Sequence, residues 1–190
     1  MYVKGLYIMK TQTGFTLIEL MVAVTVLGVL IVVAVPEMRY TIMNNRVTTK
    51  TNEFVNTVSY ARNSYVAYGA TCTATSGVCV QIQALNNDWT QGWKIWTDTN
   101  ADKTENEASG DIVRTVSYTD GSIIITPSKT LNLITFSGRG VVNDAPVTFN
   151  VCIKNHKTND PPGRQLRLDA FGRLTLINRE LKCVTNGNGS

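Results

Sequence analysis

The feature that most constrains this chain is an apolar run over residues 15–35, in which Glu19 is the only strongly polar side chain. As an α-helix the run would be about 30 Å long, which is enough to cross the hydrocarbon core of a bilayer. It therefore predicts a membrane-spanning helix. An ionised carboxylate in the hydrocarbon costs about 3 kcal/mol on insertion scales, so Glu19 needs a partner and is a candidate functional residue.

Two simpler interpretations compete with a functional span. A secretory signal would have a shorter apolar region that ends at a small-residue cleavage site, and residues 15–35 do not fit that description. The other alternative is a plain single-span anchor for a periplasmic domain, in which the acid has no role.

A cut just before Phe15 would create an α-amino group four residues, or about one helical turn, upstream of Glu19. Residues 14–21 (GFTLIELM) and the apolar run after them resemble the class III signal of type IV pilins and pseudopilins. The resemblance implies that a prepilin peptidase cuts between Gly14 and Phe15 and that Phe15 is then N-methylated. It also implies that Glu19 guides docking with other pilins in a helical filament.

Residues 1–14 are then the expected leader peptide, which carries Lys4 and Lys10 and no acid. Translation from Met9 would give a shorter leader, and the sequence does not choose between the two starts. Flanking charge does not fix the orientation of the span, because the basic residues Arg39, Arg46 and Lys50 on its far side offset the two lysines.

The cysteines indicate the orientation better. Cys72, Cys79, Cys152 and Cys183 all follow the span, as expected of a domain that is oxidised outside the cytoplasm. We therefore expect a single-pass protein of the bacterial inner membrane with a periplasmic C-terminal domain, which later enters a pilus or pseudopilus filament. Four cysteines allow three pairings. Cys72 and Cys79 flank a turn-rich segment and would staple a hairpin, and a Cys152–Cys183 bridge would hold the C-terminal tail.

The helical pattern continues past the span. Residues 36–69 predict the amphipathic half of one long helix, with apolar and aromatic positions at steps of three and four: Phe54, Val58, Ala61, Tyr65 and Tyr68. Pro36 removes one backbone donor, which invites a kink or local melting, and Gly69 is a plausible stop. We expect the stripe to be the face on which a sheet packs.

Residues 70–190 instead show a period of two, which is typical of strands. Strands are predicted at residues 78–84, 93–98, 112–118, 122–126, 131–136, 147–153, 166–169 and 173–177. The predicted class is α+β, with one long N-terminal helix on a single β-rich C-terminal domain. This is also the type IV pilin fold that the resemblance implies.

The middle of the chain resembles one pilin branch, the GspH/FimT group. The carriers are residues 88–89 (DW), 92–96 (GWKIW), 98–102 (DTNAD), 136–140 (FSGRG) and 171–173 (FGR). The resemblance implies either a minor pilin of type IV pili or the minor pseudopilin H of type II secretion, at or near a filament tip, where it helps to prime assembly. Paired cysteines make the chain more similar to the pilus members of this group than to the secretion members.

Metal, cofactor and enzyme sites are not predicted. Asp98, Asn100 and Asp102 resemble the start of an EF-hand loop, but Lys103 and Ser109 stand where that loop needs Gly and Glu. Zinc does not fit wide cysteine spacings with His156 as the only histidine. No Gly-rich phosphate loop and no Ser or Cys motif beside a base supports catalysis.

The net charge of +4 is concentrated in the C-terminal part of the chain. From residue 151 onward there are seven basic and three acidic side chains. A turn at residues 170–172, with Gly172 at positive φ, would pair Leu168 with Leu174 on the core face. Arg167, Asp169, Arg173 and Thr175 would then share the solvent face, and the loop at residues 161–163 would present Arg164.

Such a basic surface could bind phosphates, since the planar guanidinium of Arg suits them. Competence-associated FimT members bind DNA through a C-terminal Gly-Arg-x-Arg element. Here residues 163–167 (GRQLR) are one residue longer than that element, and residues 172–175 (GRLT) lack its second Arg. The candidate residues for binding double-stranded DNA are Arg164, Arg167, Arg173, Arg179 and Lys182. A solvated basic face or a subunit contact is the alternative.

Overall fold

A computed structural model describes residues 14–67, 79–98, 114–118, 121–137, 140–142, 144–155 and 160–183. The chain divides into two compact units, Met1–Arg39 and Tyr40–Ser190. Helix α1 spans Leu17–Ala67 and is 51 residues long. It continues through Pro36, so the local melting that this proline invites does not occur. The predicted stop at Gly69 lies outside the described residues.

The strands form two antiparallel sheets. Their bounds are β1 Cys79–Ala84, β2 Gly92–Asp98, β3 Arg114–Ser117, β4 Ile123–Pro127, β5 Leu133–Ser137, β6 Val141–Val142, β7 Val147–Ile153, β8 Gly163–Leu168 and β9 Leu174–Leu181. The first sheet has the order β3-β2-β1-β5-β6, and the second has the order β4-β7-β8-β9. Short 3-10 turns at Leu85–Asn87 and Trp89–Gln91 connect β1 to β2.

One hydrophobic core joins the C-terminal half of α1 to both sheets. The predicted stripe Phe54, Val58, Ala61 and Tyr65 is fully buried, which confirms it as the packing face, and Tyr68 lies outside the described residues. The Phe54 ring meets Trp89, Trp93 and Phe149 edge-on, with centroids 5.6, 5.0 and 4.9 Å away. Such edge-on aromatic pairs add to the hydrophobic gain of burial.

Hydrogen bonds fix two of the three buried indoles, those of Trp89 and Trp93. Trp93 Nε1 donates to Thr57 Oγ1 of α1 at 2.9 Å, and Trp89 Nε1 donates to the carbonyl of Leu131 at 2.6 Å. Both donors are therefore satisfied, as most buried polar groups in proteins are, whereas the Nε1 of the buried Trp96 has no partner among the described residues.

The predicted strands are present where the structure describes them, and three details differ. β6 was not predicted, because two residues carry no periodic signal. β8 begins at Gly163 and β9 extends to Leu181, so the hairpin is longer than expected. Gln81 is fully buried despite its polar place in the alternation. It lies on a central strand between β2 and β5, and Trp96, the residue opposite it on β2, is buried as well.

Candidate functional sites: the N-terminal segment and the C-terminal hairpin

The predicted cleavage bond lies in a short non-helical segment directly before α1. Gly14, Phe15 and Thr16 are exposed, and among the described residues other than its chain neighbours no atom lies within 4 Å of the position where a Cβ on Gly14 would be. Thr16 caps the helix, because its Oγ1 accepts a hydrogen bond from the backbone N–H of Glu19 at 3.3 Å. The described part of this segment is therefore open to a processing enzyme, and the helix begins immediately after it.

Glu19 lies in the first turn of α1 with its side chain exposed. Among the described residues, no cation forms a salt bridge with its carboxylate. All side chains of residues 15–35 are exposed, and α1 is long and apolar enough to cross a membrane. The hydroxyl of Thr25 donates to the carbonyls of Met21 and Val22 at 3.0 and 2.8 Å, so this polar group is satisfied within the helix.

The C-terminal hairpin has the predicted geometry. Leu168 pairs with Leu174, and Asp169 N donates to Arg173 O at 2.9 Å. Gly172 has a φ of +69°. It needs to be glycine for space as well, because a Cβ there would lie 2.7 Å from the carbonyl oxygen of Gly140.

Asp169 ties the turn together. Its Oδ1 accepts the backbone N–H groups of Phe171 at 3.0 Å and Arg173 at 2.9 Å, and its Oδ2 forms an ion pair with Arg173 Nε at 2.8 Å. Partial desolvation raises the pKa of Asp169, but the hydrogen bonds and charge of Arg173 outweigh this effect, so the pKa lies below its ordinary value. The aspartate therefore remains ionised at neutral pH and fixes the turn.

The turn is also attached to the rest of the Tyr40–Ser190 unit. Arg62 Nε of α1 donates to the carbonyl of Phe171 at 3.0 Å, and Val142 N of β6 donates to the carbonyl of Ala170 at 3.0 Å. The Phe171 side chain nevertheless remains 64% exposed. The hairpin thus holds an exposed aromatic ring on a well-supported backbone.

Arg164 differs from its predicted position. It lies in β8 rather than on a loop, and the residue is partly buried. It donates to the carbonyls of Pro162 at 3.0 Å and of Arg179, and to Asn44 Oδ1 of α1 at 3.0 Å. Because both of its terminal nitrogens donate inside the protein, Arg164 is a poor candidate for DNA contact and instead fastens the β8–β9 pair to the helix.

The four other predicted basic residues are exposed: Arg167, Arg173, Arg179 and Lys182. Arg167 lies opposite Thr175 on the solvent face, as predicted, and the guanidinium of Arg173 already forms an ion pair with Asp169. The basic surface of the hairpin is therefore smaller than the sequence suggested.

A disulfide joins Cys152 on β7 to Cys183, which follows β9, with their Cα atoms 5.9 Å apart. The bridge crosses β8 at Gly163, where a Cβ would lie 2.4 Å from Cys183 Sγ and 2.9 Å from Cys152 Sγ. Only glycine fits under the bridge, a role that the sequence did not reveal. Cys79 is also disulfide-bonded, but its expected partner Cys72 lies outside the described residues.

A polar network beside β3 was also missed. The phenol of Tyr118 donates to Glu53 Oε2, and the ammonium group of Lys50 lies over the Tyr118 ring. Burial, then the hydrogen bond to Glu53 and its charge, raises the pKa of Tyr118 far above its ordinary value. The network borders a cavity of about 430 Å³ between α1 and β3, and it fastens the helix to the first sheet.

The segment that resembles the start of a calcium-binding loop lies outside the described residues, because Asn100, Asp102 and the side chain of Asp98 are not among them. Within the described ranges, no group of three or more His, Cys, Asp or Glu side chains is arranged to hold a metal ion.

Comparisons with known proteins agree with this architecture. The family model described as Type II transport protein GspH matches residues 50–172, and the prokaryotic N-terminal methylation motif matches residues 9–35. A comparison with curated protein sequences gave no match.

Two crystal forms of the type IV minor pilin FimU from Pseudomonas aeruginosa PAO1 share the fold. One is 22% identical over 71% of this chain and 90% of FimU, with a TM-score of 0.53. The other is 23% identical over 70% of this chain and 93% of FimU, with a TM-score of 0.51. The long helix and the β-rich domain, the methylation motif and the family match confirm the predicted α+β type IV pilin fold. The chain belongs to the GspH/FimT-like type IV pilin family.

Proposed function

We propose that this protein is a minor type IV pilin, a structural subunit that helps to initiate or cap pilus assembly. The observation that carries the proposal is the described N-terminal segment. An exposed Gly14–Phe15 bond precedes a capped helix whose apolar side chains are all exposed over residues 15–35 and whose first turn carries an acid.

The exposed apolar side chains of this helix need apolar surroundings. Its apolar surface is stable in lipid before assembly and against other pilin helices afterwards. A prepilin peptidase cut before Phe15 would release an amine that can be N-methylated and still carry a charge. The carboxylate of Glu19 would pair with that amine on a neighbouring subunit, so that both charges are compensated away from water.

Two measurements test this role. Mass spectrometry of the mature protein should show a chain that starts at N-methylated Phe15. Glu19→Gln keeps the shape of the side chain and removes its charge, so it should greatly reduce incorporation into filaments, whereas Glu19→Asp should retain part of it. A mature chain that still carries Gly14, or normal incorporation of Glu19→Gln, contradicts the proposal and favours a plain membrane anchor.

The alternative machine is the type II secretion system, in which the protein would be the minor pseudopilin H. The description of the matching family supports this alternative. Deletion of the gene separates the two: loss of surface pili with normal protein export supports the pilin role, and loss of export with normal pili supports the pseudopilin role. In either machine we propose that the Tyr40–Ser190 unit is periplasmic before assembly, where the Cys152–Cys183 disulfide can form.

DNA binding for uptake is a second candidate function, and the exposure of Arg167, Arg173, Arg179 and Lys182 on one hairpin supports it. The test is a gel shift of the full chain in detergent with duplex DNA at several salt concentrations. Changing Arg167, Arg173 and Arg179 to Gln should weaken binding and reduce the salt slope by about three.

Lys129→Gln, at an exposed site between β4 and β5, is the matched control for loss of one positive charge. Absence of binding by the wild type, or salt-insensitive binding by the triple variant, would rule out the receptor role.

A further inference from the structure

The β8–β9 hairpin carries an unusual share of exposed apolar surface. In the described part of the chain after α1, the large apolar side chains that remain exposed are Phe171 (64%), Leu176 (38%) and Ile177 (50%), all on this hairpin. Single exposed apolar side chains are ordinary, but their concentration on one element marks an interaction surface.

The backbone of β9 is also open. Within the described residues, β9 is the last strand of its sheet. Asp169 N bonds to Arg173 O, and Arg167 pairs with Thr175, so alternation in an antiparallel pair turns the N–H and C=O groups of Leu174 and Leu176 away from β8. The pairing becomes irregular after Leu176. Residues 174–176 are therefore a short, uncharged edge that can accept another strand.

This edge is held in place at both ends. Asp169 and Arg62 fix the turn that precedes β9, and the Cys152–Cys183 disulfide fixes the chain two residues beyond the end of β9. A partner strand would therefore bind without first ordering the hairpin, which removes one of the main costs of association.

The charges next to the edge select the kind of partner. Arg173 and Arg179 lie three residues before and three residues after Leu176, and both side chains are exposed, although Arg173 also forms the ion pair with Asp169. A second copy that paired antiparallel about Leu176 would place Arg173 of one chain against Arg179 of the other at both ends. Like charges directly opposite each other destabilise a strand pair, whereas acidic residues at these positions stabilise it.

We propose that the β9 edge binds an extended polypeptide segment with aliphatic side chains at its centre and acidic side chains on both sides. Backbone groups of Leu174 and Leu176 supply the hydrogen bonds, and Leu176 and Ile177 supply the apolar contact. This proposal does not depend on the proposed function or on DNA binding.

The test uses the full chain in detergent and a short, fluorescently labelled peptide of alternating valine and threonine with glutamates at both ends. Fluorescence polarisation should show saturable binding, about tenfold tighter than that of the same peptide with lysines in place of the glutamates. Arg179→Glu reverses one of the two charges that attract the glutamates, so it should remove most of this preference. The fold should survive, because the Arg179 side chain is exposed and Arg164 bonds only to its backbone carbonyl.

A matched pair of variants tests the backbone contact. Leu176→Pro removes an N–H that points away from β8 and leaves the β8–β9 hydrogen bonds in place, so the fold should survive while peptide binding falls about tenfold or more. Leu176→Ala keeps the N–H and should bind between the wild type and the proline variant. Circular dichroism and thermal melting of each variant check that the fold is intact.

Three results would overturn the proposal: no saturable binding of the glutamate-flanked peptide, equal binding of both peptides, or unchanged binding by a folded Leu176→Pro variant. Binding of duplex DNA that is weakened by Arg179→Glu, without any binding of the peptide, would show a nucleic-acid surface instead.

Discussion

Removal of the Cys152–Cys183 disulfide should destabilise the Tyr40–Ser190 unit more than most single changes would. The bridge closes a loop between residues 31 positions apart, and the chain-entropy relation for such a loop gives about 3.7 kcal/mol. This is a large part of the 5–15 kcal/mol that is typical of a whole domain. The change should therefore be visible without a sensitive assay.

The variant is Cys152→Ala with Cys183→Ala, in a fragment that begins at Tyr40, the first residue of the compact unit. Mutation is preferable to a reducing agent, which would also reduce the bridge of Cys79. With a urea slope of about 2 kcal/mol per M, the unfolding midpoint should fall by about 2 M. A loss below about 1 kcal/mol at an unchanged slope would refute the loop-entropy reasoning.

Gly163 provides the internal control. With the bridge present, Gly163→Ala places a Cβ 2.4 Å from Cys183 Sγ and should destabilise the fold. Without the bridge the same change should cost less, although the carbonyl of Val151 remains 2.7 Å from that Cβ. A double-mutant cycle measures this coupling, and additive effects would show that the bridge does not cross β8 at Gly163.

Three further predictions concern the core, the turn and the polar network. Phe54→Ala should cost about 3–5 kcal/mol in urea unfolding, because its fully buried ring contacts three other aromatic rings, and Phe54→Leu should cost much less. Asp169→Asn should lower stability at pH 7. The pKa of Asp169 is lowered in the fold, so the wild type should be more stable than the variant above the ordinary Asp pKa of about 3.9. This difference in stability should vanish as the pH falls through the lower pKa of the folded state. A stability difference that persists in acid would contradict the ion pair. Tyr118→Phe leaves Glu53 without its phenol donor and should cost about 1–2 kcal/mol, and an unchanged melting temperature would contradict the network.

Local patterns in the sequence predicted the elements whose geometry is set locally. The spacing of Phe54, Val58 and Ala61 gave the packing face of α1, because a helical stripe has the same period wherever the helix lies. The turn at Gly172 and the Leu168–Leu174 pair also followed from the sequence, since a short hairpin loop sets its own register.

Features that depend on distant parts of the chain were missed or misplaced. Arg164 turns inward because Asn44, 120 residues earlier, lies beside it in the folded protein. The need for glycine at position 163 arises only when β7 and the end of β9 meet across β8. The Glu53–Tyr118 bond likewise joins residues 65 positions apart. No local pattern reports such contacts.

The cap at Thr16 has a consequence for the proposed mature form of the protein. A cut before Phe15 would leave an ammonium group one residue ahead of the cap, at the positive end of the backbone dipoles of a 51-residue helix. A positive charge is unfavourable there, and most of all where water is scarce. The processed subunit would thus carry an uncompensated positive charge at its N-terminus, which an acid from a second helix would neutralise. The isolated subunit would then have the higher free energy, and this difference would favour polymerisation in one orientation.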